Sequence, residues 1–218
     1  KPRNGDFVPN LIKQNIKRDL KRYAVAGIVP EILDLKYLFI ETNSKVYYNT
    51  NLAPSASFVS TKVQRDLTAY AESSELNKYG ARFKYSRFLK VIDSSHESVT
   101  SNITTVEMRR DLRLAISEVA EYAIDFGNEF HIQSMNGFNI RSSAFRVLNI
   151  NTDVYLYDIP DLTGEKGQIS LFSLNEGSST PVIQRRNIGV IDYKKGRITL
   201  DPINIVSGKT KDNVDILE

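Results

Sequence analysis

Asp125-Phe126-Gly127 matches the metal-binding tripeptide of protein kinases, and it is the first string in this chain to weigh as chemistry. Phosphoryl transfer also needs a Gly-rich loop, a strand Lys with its helix Glu, and a His-Arg-Asp loop, and the chain has none of them. Tyr122, Ile124 and Phe126 alternate with Ala and Asp, which instead puts the tripeptide at a strand end. Phe126 then points inward and Gly127 opens a turn. Only His96 and His131 offer imidazole, they lie in different halves of the chain, and neither has a ligand spacing such as His-x-x-x-His. With no Cys, a transition-metal site would have to be assembled from scattered carboxylates, so both histidines read as solvated or packing groups. Serine is plentiful without a Gly-x-Ser-x-Gly elbow, and neither glycine-rich nucleotide motif occurs. No pair of carboxylates is favoured for acid–base work. The expectation is a protein without catalytic residues, metal or cofactor.

Residues 78–90 are the strongest binding candidate. Lys78, Arg82, Lys84, Arg87 and Lys90 interleave with Tyr79, Phe83, Tyr85 and Phe88. Cations and rings together can hold a single-stranded nucleic acid through phosphate contacts and base stacking. The string partly echoes the aromatic strand of an RNA-recognition motif. It departs from that motif where Arg82 takes an apolar core position, and it falls between helices instead of on a central strand. Tyr, Phe and Arg are also enriched at the cores of protein interfaces. Tyr79, Arg82, Phe83, Tyr85 and Arg87 are therefore the candidate protein-contact residues, with nucleic-acid binding as the alternative.

The elements around this stretch follow from hydrophobic period. Ile12, Ile16 and Leu20 recur on one helical face opposite Lys and Arg, which predicts a helix over 11–22 broken by Gly27 and Pro30. Residues 35–40 and 46–48 are strand-like, with Thr42-Asn43-Ser44 as the turn of a hairpin. Ser60 is the expected cap of a helix reaching Asn77, with Val63, Leu67 and Tyr70 or Ala71 on its buried face and Gly80 as its stop. Phe88, Leu89, Val91 and Ile92 predict a short helix stopped at Asp93, and 99–108 alternates as a strand. The resulting α+β order is one strand short of a ferredoxin-like split βαβ sandwich, with the absent strand expected upstream of Lys1. Past 105–114 the chain turns to short antiparallel strands. The clearest is the hairpin over 189–200, where Gly196 supplies a positive φ and Pro202 is the expected strand end. The division expected is 1–108, ferredoxin-like, and 109–218, β-rich.

Composition fits this picture. The 218 residues are 41% hydrophobic and 25% charged, with a net charge of +3 too small to indicate nucleic acid by itself. No stretch has the apolar length of a membrane span, so no membrane partner is expected. The chain lacks an initiator Met and ends within strand-like residues, and it reads as a carboxy-proximal fragment. It carries 11 Tyr and 10 Phe but no Trp, and several Tyr lie on strand-like segments that include Tyr155 and Tyr157. Tyr47 and Tyr48 are adjacent on such a segment, so they cannot both enter one core, and one ring should face outward where it suits a protein contact.

Several strings occur together in a telling order: Val25 to Leu38, Leu76-Asn77-Lys78-Tyr79-Gly80-Ala81-Arg82-Phe83, Phe88-Leu89-Lys90-Val91-Ile92-Asp93, Ser101-Asn102-Ile103-Thr104-Thr105, Ile124-Asp125-Phe126-Gly127-Asn128, and the Gly189 to Leu200 hairpin. In this order they resemble the baseplate wedge proteins of T-even-like contractile-tailed phages, within the baseplate-J-like family. The resemblance implies a structural subunit of the virion tail baseplate, assembled in the host cytoplasm. Its partners would be other copies of itself and other wedge proteins, in a ring around the hub. It brings no catalytic residue with it. Titration calorimetry with Mg²⁺ and Zn²⁺ is expected to show no binding by the native chain, and none to be lost in Asp125→Ala or His131→Ala. Saturable binding that either substitution abolishes would contradict the assignment of both residues to structure.

Overall fold

A computed structural model describes residues 8, 10–25, 27–32, 37–78, 80–175, 180–211 and 214–218. The elements in chain order are α1 (Asn10–Lys21), β1 (Phe39–Tyr48), α2 (Ala56–Glu72), α3 (Tyr85–Asp93), β2 (Val99–Arg109), β3 (Leu112–Arg113), β4 (Val119–Asp125), β5 (Arg146–Val147), β6 (Tyr155–Pro160), β7 (Lys166–Leu174), β8 (Pro181–Asp192), β9 (Arg197–Ser207), β10 (Lys209–Lys211) and β11 (Val214–Leu217). The fold is α+β, with strand predominating. Contacts gather Ile40–Met108 into one compact unit, and Arg109–Glu218 with the described residues of Lys1–Phe39 into another.

In the Ile40–Met108 unit, α2 begins a turn earlier than Ser60. Ser55 caps it, its hydroxyl accepting from the Phe58 N–H at 3.2 Å. The cause is Val59, which lies four residues before Val63 and extends the apolar face back toward the chain's amino end. Phe88 and Ile92 make the same spacing on α3. These four side chains and Tyr70 form a core closed by Val46, Tyr48 and Val99 from the strands.

The strands run antiparallel. The Asn49 N–H donates to Ser98 O at 2.8 Å, the Thr100 hydroxyl to Tyr47 O at 3.1 Å, and the Ser44 and Thr104 hydroxyls meet at 2.9 Å. The hairpin turn expected at Thr42-Asn43-Ser44 does not form, and β1 passes straight through it. The cause is the Thr104 hydroxyl on β2, which gives Ser44 a cross-strand partner and keeps this polar segment extended. The first limb of that hairpin includes 35 and 36, which lie outside the described residues. A ferredoxin-like sandwich needs a four-stranded sheet, whereas the described residues supply two strands, in the order β1-α2-α3-β2.

The other unit carries a six-stranded antiparallel sheet ordered β4-β9-β8-β7-β6, with β5 pairing a further stretch of β9, and a three-stranded sheet ordered β10-β11-β3. Leu156, Ile169, Leu171, Ile191, Ile198, Leu200 and Ile205 fill its core. Gly196 takes φ +64° at the β8–β9 turn, and a Cβ there would lie 1.8 Å from the Asn128 carbonyl oxygen, so both conformation and space require glycine. Pro202 does not end its strand. The β4–β9 register slips between Ala120 and Tyr122, opposite Asp201 and Pro202, and this bulge accommodates the missing proline N–H.

A carboxylate sits inside this unit. Asp158 shares the inward face of β6 with Leu156 and is fully buried. Its oxygens accept from the Asn139 N–H at 2.7 Å, the Ile140 N–H at 2.9 Å, Asn139 Nδ2 at 2.7 Å and the Tyr193 hydroxyl at 2.5 Å. Burial first, then the hydrogen bond and charge of Asp158, push the Tyr193 phenol above its ordinary value. A phenol raised in the fold contributes stability that is intact below the ordinary tyrosine pKa of about 10 and is lost as pH rises beyond it. Tyr193→Phe is expected to cost about 1–3 kcal/mol at neutral pH by removing one donor from a buried acceptor. It should also flatten the alkaline loss of stability. Urea midpoints across the alkaline range check both effects, and a variant that tracks the native protein at every pH would contradict the role given to this bond.

Candidate protein-contact site

The basic-aromatic stretch lies in the connection from α2 to α3 and in α3 itself. Tyr79 lies outside the described residues. Arg82 is exposed in the extended lead-in to α3. Phe83, the next residue, turns inward, its ring 5.7 Å from Phe88 and packed against the core. Tyr85 opens α3 with its ring exposed and its hydroxyl donating to Thr104 O on β2 at 2.9 Å. Arg87 points back toward α2 and pairs with Glu75 at 3.0 Å. Glu75 also acts on Tyr70, whose phenol is raised by burial first and then by that nearby negative charge.

The four described candidates therefore do not form one uniform patch. Arg82, Tyr85 and Arg87 present outward surface, with Tyr85 and Arg87 also tied into the unit, while Phe83 belongs to the core. Glu75 was not among the residues singled out from sequence, since its pairing with Arg87 depends on how the connection folds back. The adjacent tyrosines divide as alternation requires. Tyr48 packs against the core, and Tyr47 is exposed with the Lys45 ammonium 5.4 Å from its ring centroid.

Asp125 and His96, two other chemistry-bearing side chains, have structural partners. Asp125 accepts from Arg197 Nη2 at 2.7 Å and from the Gly127 N–H at 2.9 Å. The arginine hydrogen bond first, and the backbone hydrogen bond second, hold its carboxyl below the usual range. Phe126 packs against the core and Gly127 has a positive φ, so Asp-Phe-Gly is a strand-end turn. His96 Nδ1 lies 2.8 Å from the Ser98 hydroxyl, and its ring meets Phe58 edge-on at 5.4 Å. His131 is exposed. Among the described residues no three His, Asp or Glu side chains are grouped to hold a metal ion.

One charged cluster was not foreseen from sequence. The Asp111 carboxylate is almost fully buried, 3.0 Å from Arg109 and 2.8 Å from Lys211. Glu218 pairs with Lys209 at 2.6 Å. The Phe39 ring has Arg109 4.8 Å and Lys211 4.9 Å from its centroid. Phe39, the Arg109–Asp111 pair and the Lys209–Glu218 segment lie far apart along the chain, so spacing carries no signal of their meeting. Together they latch the segment entering β3 onto β10 and β11, which is structural use of buried charge.

Comparison with known proteins gives this geometry a context. Residues 36–111 match the family described as baseplate structural protein gp6, C-terminal domain III. That span contains the whole β1-α2-α3-β2 unit. Over 165 residues the chain is 29% identical to the baseplate wedge protein gp6 of Enterobacteria phage T4, an alignment covering 73% of this chain and 24% of that protein. The chain thus spans about a quarter of that relative's length. Both matches are likenesses to the baseplate wedge protein of a T4-like phage.

The placement of neighbouring Arg82 and Phe83 on opposite sides of the surface predicts unequal effects on folding. Phe83→Ala is expected to lower stability by about 1–3 kcal/mol through lost core packing, and Arg82→Ala by no more than about 0.5 kcal/mol. Chemical denaturation of the two variants checks this, and equal, small losses would contradict the inward position of Phe83.

Proposed function

We propose, from this kinship with the wedge proteins of T4-like phages, that the chain is a non-catalytic structural part of a tail baseplate, self-associating and joining neighbouring wedge subunits into a ring around the hub. The observation that carries the reading is the match of 36–111 to domain III, because it falls on a unit with its own closed core. A module of that kind can be held in an assembly as a rigid part. The side chains agree with the reading. Asp125, Asp158, Asp111 and His96 are occupied in holding turns, loops and strands.

Within that role, Arg82, Tyr85 and Arg87 are the outward residues of the contact surface and Phe83 anchors the segment that presents them. Of the rings a nucleic acid would need for stacking, Phe83 and Phe88 are turned into the core and Tyr85 is exposed with its hydroxyl bonded to β2, so the described rings offer no row of stacking faces and the protein-contact reading is preferred.

Sedimentation velocity over a wide range of concentration tests self-association. A dimer or larger species is expected to build up with concentration, with a contact burying at least about 1,200 Å² in total. A strict monomer at the highest concentration reached would contradict self-association by this chain.

A further inference from the structure

We propose that α1 docks its apolar face into an acidic groove on another protein chain of the assembly. Four apolar side chains of α1 are exposed: Leu11 at 69%, Ile12 at 48%, Ile16 at 42% and Leu20 at 45%. Three of them, Ile12, Ile16 and Leu20, recur every four residues and so form one continuous stripe. Among the described residues, no side chain of the helix joins either hydrophobic core. The exposed apolar run continues past its end through Tyr23, Val25, Ile28 and Val29. Scattered exposed apolar residues are ordinary, but a concentrated stripe marks an interaction surface.

Charge identifies the occupant. Lys13, Lys17, Arg18, Lys21 and Arg22 lie between and beside the apolar positions, against the single carboxylate of Asp19. A second copy of this helix would bring like charges together along the contact, which disfavours self-pairing here. A lipid surface is disfavoured by composition, since α1 itself carries no aromatic side chain to anchor it in an interface and Tyr23 follows only after its end. A groove with an apolar floor and Asp or Glu along its rims satisfies both features, in the helix-in-groove mode of recognition. The inference rests on the wedge reading, and it names one contact of that assembly.

The test is made in the phage that encodes the chain, with two variants. One carries Lys17→Glu, Arg18→Glu and Lys21→Glu, and the other carries Ile12→Ser and Ile16→Ser. Each should lower the yield of complete baseplates at least about tenfold. The melting midpoint of the purified chain should hold, because α1 lies outside both cores. Growth-restoring changes in the charge-reversed phage should replace Asp or Glu by Lys or Arg in a different baseplate chain. An unchanged yield would overturn the proposal, as would restoring changes confined to this chain. Binding of the native chain to vesicles of anionic phospholipid, lost on charge reversal, would assign the face to a membrane instead. A dimer lost in the Ile→Ser variant would assign it to a second copy. If the unaltered chain were absent from purified baseplates, the wedge reading itself would fail, and that result is distinct from a failure of the helix contact alone.

Discussion

Asp158 sets the terms for the larger unit. A carboxylate buried among isoleucines and leucines is tolerable only when donors surround it, since a buried polar group without partners costs several kcal/mol. The donors come from the loop before β5, through Asn139 and the Ile140 N–H, and from the end of β8, through Tyr193. One side chain on β6 thereby fixes the position of two remote segments. The backbone has shaped itself to this arrangement. A Cβ at Gly137 would lie 2.1 Å from the Asp158 carbonyl oxygen, and one at Gly167 would lie 2.9 Å from the Tyr193 hydroxyl. Asn139 braces its own loop further by accepting from the Gln133 and Ser134 N–H groups.

The same use of polarity recurs elsewhere. Asp111 and Glu218 hold basic side chains at the join of β3 with β10 and β11, and Asp125 holds Arg197 across the β4–β9 pair. In each case a charge is engaged in keeping strands in register. The surface that the described residues leave exposed includes the outward side of the α3 lead-in, the ring of Tyr47 and the apolar stripe of α1. A protein organised in this way is suited to being held between neighbours.

Much of the fold was legible where local pattern decides it. The alternation of Tyr122, Ile124 and Phe126 located β4, the glycine at 196 located the strongest hairpin, and Ile12, Ile16 and Leu20 located α1. The structure departs from local propensity where another residue overrides it. Thr42-Asn43-Ser44 has turn chemistry, but Thr104 across the sheet keeps Ser44 in a strand. Pro202 has strand-breaking chemistry, but a bulge opposite it lets β9 continue. Ser60 is a good cap, but Val59 extends the buried face and hands the cap to Ser55. At the contact site the residue types were legible and their directions were not. Whether Phe83 turns inward depends on Phe88 and the closed core, and Arg87 is fixed by a glutamate across the connection. The inward acid at 158 could have been found, because alternation from Leu156 places it on the core face.

The proposed role makes this chain a structural member of a baseplate wedge. Electron cryo-microscopy of intact baseplates from the encoding phage is the decisive measurement. Copies of the chain are expected around the hub, with the Ile40–Met108 unit seated against neighbouring subunits. Baseplates that are complete without the chain, or a chain found there with that unit free of any neighbour, would contradict it.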